Sequence, residues 1–121
     1  MQKQFSVELG EKIRALKYDM NSLAAIEEKL GPGNAVDLCF GASTGFRAQL
    51  VLVWAGLIWE TWDRANDRPT LTLSEVSDWI TPILSDKKRQ QEVIELVTQA
   101  FFSVFPPPDK AEPEEGDSKN A

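Results

Sequence analysis

Apolar and polar residues alternate at the start of the chain, where Phe5, Val7 and Leu9 are interleaved with Ser6 and Glu8. That period of two predicts a β-strand. Gly10-Glu11 supplies a tight turn of the glycine-first kind. A second strand alternates from Ile13 to Ala15 and then shifts phase to Leu16 and Tyr18, a slip that a bulge near Arg14-Ala15 would produce. Two strands alone are marginal in water, so the apolar face of this hairpin is expected to lie on helices.

The period then changes. "MNSLAAIEEKL" carries Leu23, Ile26 and Leu30 on one helical face, with Asp19 or Asn21 as the cap and "GPG" (Gly31 to Gly33) as the stop. A short helical piece is expected around Ala35 to Phe40, ending at Gly41, with Ser43 or Thr44 opening the next helix. That helix is predicted from about Gly45 to Ala65, roughly 30 Å at 1.5 Å per residue. Stepping ~100° per residue, Val51, Trp54, Ile58, Trp59 and Trp62 share one broad arc, and only a strip holding Gln49, Gly56 and Glu60 is not apolar. A helix apolar nearly all round must be surrounded. In a small domain this means burial by the rest of the chain first, and by another subunit second.

"NDRP" is the expected break. "TLTLSEVSDWI" reads as a helix with a capping box of Thr72 and Glu75 and a hydrophobic staple of Leu71 and Val76. Pro82 and Asp86 mark a turn before a last helix, about Lys87 to Val104, whose core stripe is Val93, Leu96, Val97, Ala100, Phe101 and Val104. The prolines that follow end it. The predicted fold is mainly α (α+β): an N-terminal β-hairpin on a small bundle of four to five helices over residues 1–105, with a disordered, Pro-rich acidic tail over 106–121.

Composition narrows the chemistry. There is no histidine among 121 residues, which removes the usual neutral-pH general base, histidine-activated nucleophiles and ordinary zinc sites. A single cysteine, Cys39, excludes an internal disulfide and fits a reducing compartment; between Leu38 and Phe40 it reads as an inert buried thiol. No signal peptide is visible at the start. The uncharged run from Leu50 to Trp59 is about half of the ~20 residues that a membrane span needs. The net charge of −6, with five acids against two lysines after Phe105, makes a poor nucleic-acid surface. Glu27-Glu28 and the Asp63/Asp67 region lack the alternating ligand spacing of a calcium loop and read as solvated faces. The glycines match neither a phosphate loop nor a dinucleotide fingerprint. No catalytic site, metal site or cofactor is expected.

Three features suggest contact with other chains. Trp59 or Trp62, near the polar end of the long helix, can anchor a partner, although core is the simpler reading of the aromatic arc. Phe102 falls on the polar face of the last helix beside Gln91, Glu95 and Gln99, and is followed by Phe105. It either packs under the proline segment or stays exposed for binding. Lys87, Lys88 and Arg89 occupy a helix N-terminus, the wrong end for the macrodipole. They are either a solvated terminus or a basic handle for an acidic partner or the acidic tail.

Taken in order, "LKYDMNSLAAIEEKLG" (Leu16 to Gly31), "FRAQLVLVWAGL" (Phe46 to Leu57) and "LTLSEVSDWI" (Leu71 to Ile80) resemble the small tail assembly chaperones of long-tailed phages, in the branch that includes gene transfer agents. The resemblance covers about Phe5 to Phe105; "DRANDRP" and the acidic tail depart from it. It implies a non-enzymatic protein of the bacterial host cytoplasm that coats the tape measure protein, recruits tail tube protein and is absent from the finished virion. Self-association stays open. Trp62, Phe102 and Phe105 are the expected contact residues, and no motif of that family carries those three. Gly56 would let another backbone approach closely. The alternatives are a structural tail or neck component of such a particle, or a helical regulatory binding module.

Overall fold

A computed structural model describes residues 5–39 and 45–106. The order of elements is β1 (Phe5–Leu9), β2 (Lys12–Leu16), α1 (Met20–Leu30), α2 (Pro32–Cys39), α3 (Phe46–Leu57), a 3-10 turn (Ile58–Thr61), β3 (Trp62–Asp63), β4 (Arg68–Pro69), α4 (Leu73–Ile80), a second 3-10 turn (Thr81–Ser85) and α5 (Lys87–Val104). The chain is mostly helical, with the N-terminal hairpin laid on five helices as the sequence predicts. The expected acidic tail lies almost wholly outside the described residues, as do the caps sought at Ser43 or Thr44 and the side chain of Cys39.

The hairpin differs from expectation in two details. Gly10 and Glu11 both have positive φ, 61° and 63°, the signature of a turn with two left-handed residues rather than one leading glycine. No bulge interrupts the pairing, which runs in continuous register from Phe5↔Leu16 to Leu9↔Lys12. The phase slip is absorbed by side chains instead. Cross-strand partners share a face, so Leu16 joins Phe5, Val7 and Leu9 on the buried side, and Ile13 is left 71% exposed on the other. Arg14, opposite Val7, keeps an inward place by stacking its guanidinium 3.7 Å from the centre of the Trp79 ring and donating from Nε to Leu9 O at 2.9 Å. Trp79 in turn rests against Gly10, where a Cβ would come within 2.7 Å of the indole.

Asp19 caps α1 by accepting from Ser22 N, and the buried Ser22 hydroxyl accepts from Asp19 N in return. Gly31, at φ 94°, closes α1, and Pro32 opens α2 at once, three residues before the expected start at Ala35. Proline is suited to a first helical position, where its missing N–H has no partner to lose. Asp86 caps α5 through Arg89 N, and α5 has the bounds the sequence predicts. Arg89 also ties α5 to β1, donating to Glu8 O at 2.7 Å.

Helix α3 is the centre. It packs against α1, α4, α5 and β2, and every residue from Val51 to Leu57 is buried. It ends well before Ala65. Asp63 accepts from the backbone N–H of Ala65 and Asn66 and from Asn66 Nδ2, a local turn that competes with helix, and β3 pairs with β4 across it. The arc of three tryptophans is therefore broken. Trp54 is buried, with Nε1 donating to Leu71 O at 2.8 Å; Trp59 is 37% exposed and donates to Ala15 O at 2.9 Å; Trp62 sits half-buried in the small second hairpin.

The connection from β2 to α1 crosses α3 at Gly56. Lys17 N donates to Gly56 O at 2.9 Å, and the Tyr18 hydroxyl donates to Leu52 O at 2.6 Å. A Cβ on Gly56 would lie 2.6 Å from the Tyr18 ring and 2.9 Å from Leu16. The close approach expected at Gly56 is thus made within the chain, by the side chains of Tyr18 and Leu16. Gly56→Ala is expected to destabilise the protein by about 1–3 kcal/mol through this overlap, read as a lower urea midpoint. Burial pushes the phenol of Tyr18 well above its ordinary 10.0, so the folded state holds that proton when the unfolded state loses it. Stability from this group is complete below pH 10 and falls above it by about 1.4 kcal/mol per pH unit. Tyr18 is the chain's only tyrosine. Its tyrosinate absorbance should therefore rise only with alkaline unfolding, and Tyr18→Phe should flatten that part of the stability profile.

Candidate partner-docking surface

The three expected contact residues do not form one patch by themselves. Phe102 and Phe105 are brought together at the end of α5, where both rings lean on the fully buried Phe101, with centroids at 5.2 Å and 5.5 Å. Each is partly buried against the core. Trp62 is likewise partly buried, but on β3, where it pairs with Pro69. Of the two readings open for Phe102, packing under the proline segment lies mostly outside the described residues, and the ring is half-buried against Phe101.

A second apolar surface lies at the opposite end of α5. Helix α4 runs only from its Thr72–Glu75 capping box to Ile80. Pro82 then turns the chain through the second 3-10 turn, and α5 departs from Asp86. Both α4 and α5 rest on α3, and they diverge from this joint. The wedge between them is a groove of about 310 Å³. Its floor is the first two turns of α3, with Gln49, Leu50 and Val53, and Phe46 stands at its rim. One wall is Ser77 and Ile80 with Thr81, Ile83 and Leu84; the other is Gln90, Val93 and Ile94. Phe46 is 81% exposed and Leu84 49% exposed, so the rim offers large apolar side chains to solvent. Such a concentration on a small protein marks a contact site more often than a scattered leucine does.

Charges of both signs lie in the turns next to the groove. Arg47 lies in the first turn of α3, and Lys87 and Lys88 lie in the first turn of α5. All three are exposed and make no ion pair among the described residues. Neither first turn contains an acidic residue. Arg89, the other cation of that α5 turn, is engaged by Glu8 and Glu92. On the acidic side, Asp86 is occupied in capping α5, and Asp78 stands exposed beside Ser77.

Among the described residues no group of three potential metal ligands comes together, and no helix is long and apolar enough to cross a membrane. The displaced titrations have structural causes: burial for Tyr18, and for Asp63 the hydrogen bonds from Asn66, which hold its carboxyl below the ordinary range.

Sequence reasoning missed the groove. Phe46, Leu50 and Val53 carry a helical spacing, but α3 is apolar nearly all round, so no one face stands out, and Ile94 lies outside the predicted stripe of α5. The usable signal was the second apolar stripe of Ile80, Ile83 and Leu84, which α4 alone cannot bury. No family model matches the chain, and neither a curated protein nor a solved structure matches it.

The two ends of α5 should respond differently to substitution. Phe102→Asp removes packing on Phe101 and is expected to cost about 1–3 kcal/mol. Phe46→Asp removes only exposed surface and puts a negative charge at a helix N-terminus. It should leave stability unchanged or raise it by a few tenths of a kcal/mol. Urea unfolding of both variants tests this contrast.

Proposed function

We propose that the protein is a non-enzymatic phage tail assembly chaperone, acting in the cytoplasm of the bacterial host. It docks the tape measure protein and helps to bring tail tube subunits to it. The observation that carries this reading is the groove between α4 and α5: an open apolar slot, rimmed by Phe46 and Leu84, on a body whose central helix is otherwise sealed by its own chain. A chaperone for a long, aggregation-prone partner needs repeated apolar docking of moderate strength rather than an enclosed pocket. The slot offers that, and hydrophobic contact is non-directional enough to be repeated along a partner of varied sequence. The ordered segments "LKYDMNSLAAIEEKLG", "FRAQLVLVWAGL" and "LTLSEVSDWI" support the same reading through their resemblance to that family. The second and third of these segments are α3 and α4, which line the groove, and the first forms the crossing and α1, which pack on α3.

Co-expression with the matching tape measure protein is the direct test. The expected outcome is a soluble tape measure protein that co-purifies with this chain, together with mass spectra of finished particles that lack it. A tape measure protein that stays insoluble and forms no complex would refute the proposal. The presence of the chain at fixed stoichiometry in purified particles would favour a structural tail or neck component instead.

A further inference from the structure

We infer that two copies of this chain pair reversibly across the groove between α4 and α5, each seating its Phe46 in the slot of the other. The pairing goes beyond the docking role proposed above and needs no tape measure protein.

Phe46 is 81% exposed in the first turn of α3, at the rim of a slot lined by Leu50, Val53, Ile80, Leu84 and Ile94. One face of the molecule therefore carries a protruding apolar ring and, beside it, an open apolar hollow of about 310 Å³. A two-fold contact requires a patch that complements itself, so that what one copy offers is what the other receives. A knob next to a hollow meets that requirement, because half a turn brings each Phe46 over the other's slot. Leu84, 49% exposed on the same rim, is covered in the same contact. A helix of another protein would fill the slot with its own side chains and still leave Phe46 without a hollow to enter. A second copy takes both the slot and the ring out of water together.

Charge selects the same occupant. The chain carries −6, so two copies repel each other over most approaches. This face is an exception. No charged residue lines the slot. Around it, Arg47 follows Phe46, and Lys87, three residues before Gln90, lies on the groove side of α5, whereas helical phase turns Lys88 to the far side. Asp78, beside Ser77, and Asp86, at the head of α5, supply two negative charges against those two positive ones. A patch that holds both signs in balance lets the cations of one copy face the acids of the other, and offers no net attraction to a uniformly acidic or basic partner. The acidic segment after Phe105 fails on that ground, and it has no large apolar side chain to insert, only prolines and alanines. Twelve residues line the slot, against roughly 20–30 a side in a standard stable interface, so the pairing is weak and reversible. A partner that docks on this face displaces the second copy.

The test uses the full-length chain alone. Sedimentation velocity from about 1 to 500 μM should show the mass rising from 13.5 kDa toward twice that value, with a dissociation constant on the order of 10–100 μM. Phe46→Ser should raise that constant by about ten-fold or more with an unchanged circular dichroism spectrum. Leu84→Ser, which reaches the same face without touching α3, should raise it by about three-fold or more. At low salt, Arg47→Glu/Lys87→Glu and Asp78→Lys should each pair about ten-fold more weakly than wild type, and an equimolar mixture of the two should pair more tightly than either alone. The inference is overturned if the chain keeps its monomer mass throughout that range, if both serine variants pair undiminished, or if the mixture is no tighter than its components. None of these results bears on the chaperone reading, which the co-expression decides separately.

Discussion

Tyr18 lies across Gly56 with its hydroxyl donating to Leu52 O at 2.6 Å, and the edge of its ring meets Phe101 at a centroid distance of 5.3 Å. This crossing joins three parts of the chain that are far apart in sequence: the exit from the hairpin, the middle of α3 and the end of α5. It depends on a residue without a side chain, because any Cβ at position 56 would occupy the space of the phenol ring. Lys17 N donating to Gly56 O fixes the height of the crossing. With the connector pinned there, β2 covers one side of α3, β1 reaches α5, and α1 closes a further side. The apolar circumference of α3 is hidden over its C-terminal half by the chain itself.

The same arrangement decides where burial stops. At the N-terminal end of α3 the covering elements are α4 and α5, and they diverge from the second 3-10 turn rather than closing over Phe46. Burying a side chain the size of phenylalanine or leucine stabilises a fold by about 1.5–3 kcal/mol, so leaving Phe46 and Leu84 in water forgoes a gain the core would otherwise have. Arg47, Lys87 and Lys88 break a second local rule at the same place by opposing two helix dipoles. Where burial and charge both run against stability in one small region, the region is a candidate for function.

Much of the scaffold was legible because its signals are local. The cap at Asp19, one of two candidates, the capping box at Thr72–Glu75, the alternation of Phe5, Val7 and Leu9, and the bounds of α5 each follow from residues within a turn or two of one another. Features that depend on distant parts of the chain were not legible. The helical spacing of Trp54, Trp59 and Trp62 gave no warning that Asp63 would build a competing turn and end α3 at Leu57. A shift in phase along β2 looked like a bulge, because nothing nearby announced that Trp79 would hold Arg14 on the inner face. Gly56 was recognisable as a point of close approach, but its neighbour proved to be Tyr18 of the same chain. The groove was hidden for the same reason: it exists only through the angle between α4 and α5, which no stretch of sequence encodes by itself.

Hydrogen–deuterium exchange on the free protein and on its complex with the tape measure protein tests the central claim most directly. The slowest amides of the free protein should lie between Val51 and Leu57, beneath the Tyr18 crossing. Protection gained in the complex should appear at the start of α3, from Thr81 to Leu84, and in the first two turns of α5. Gains confined to the Phe102–Phe105 end of α5, or rapid exchange through the middle of α3, would contradict a body sealed at Gly56 and open at Phe46.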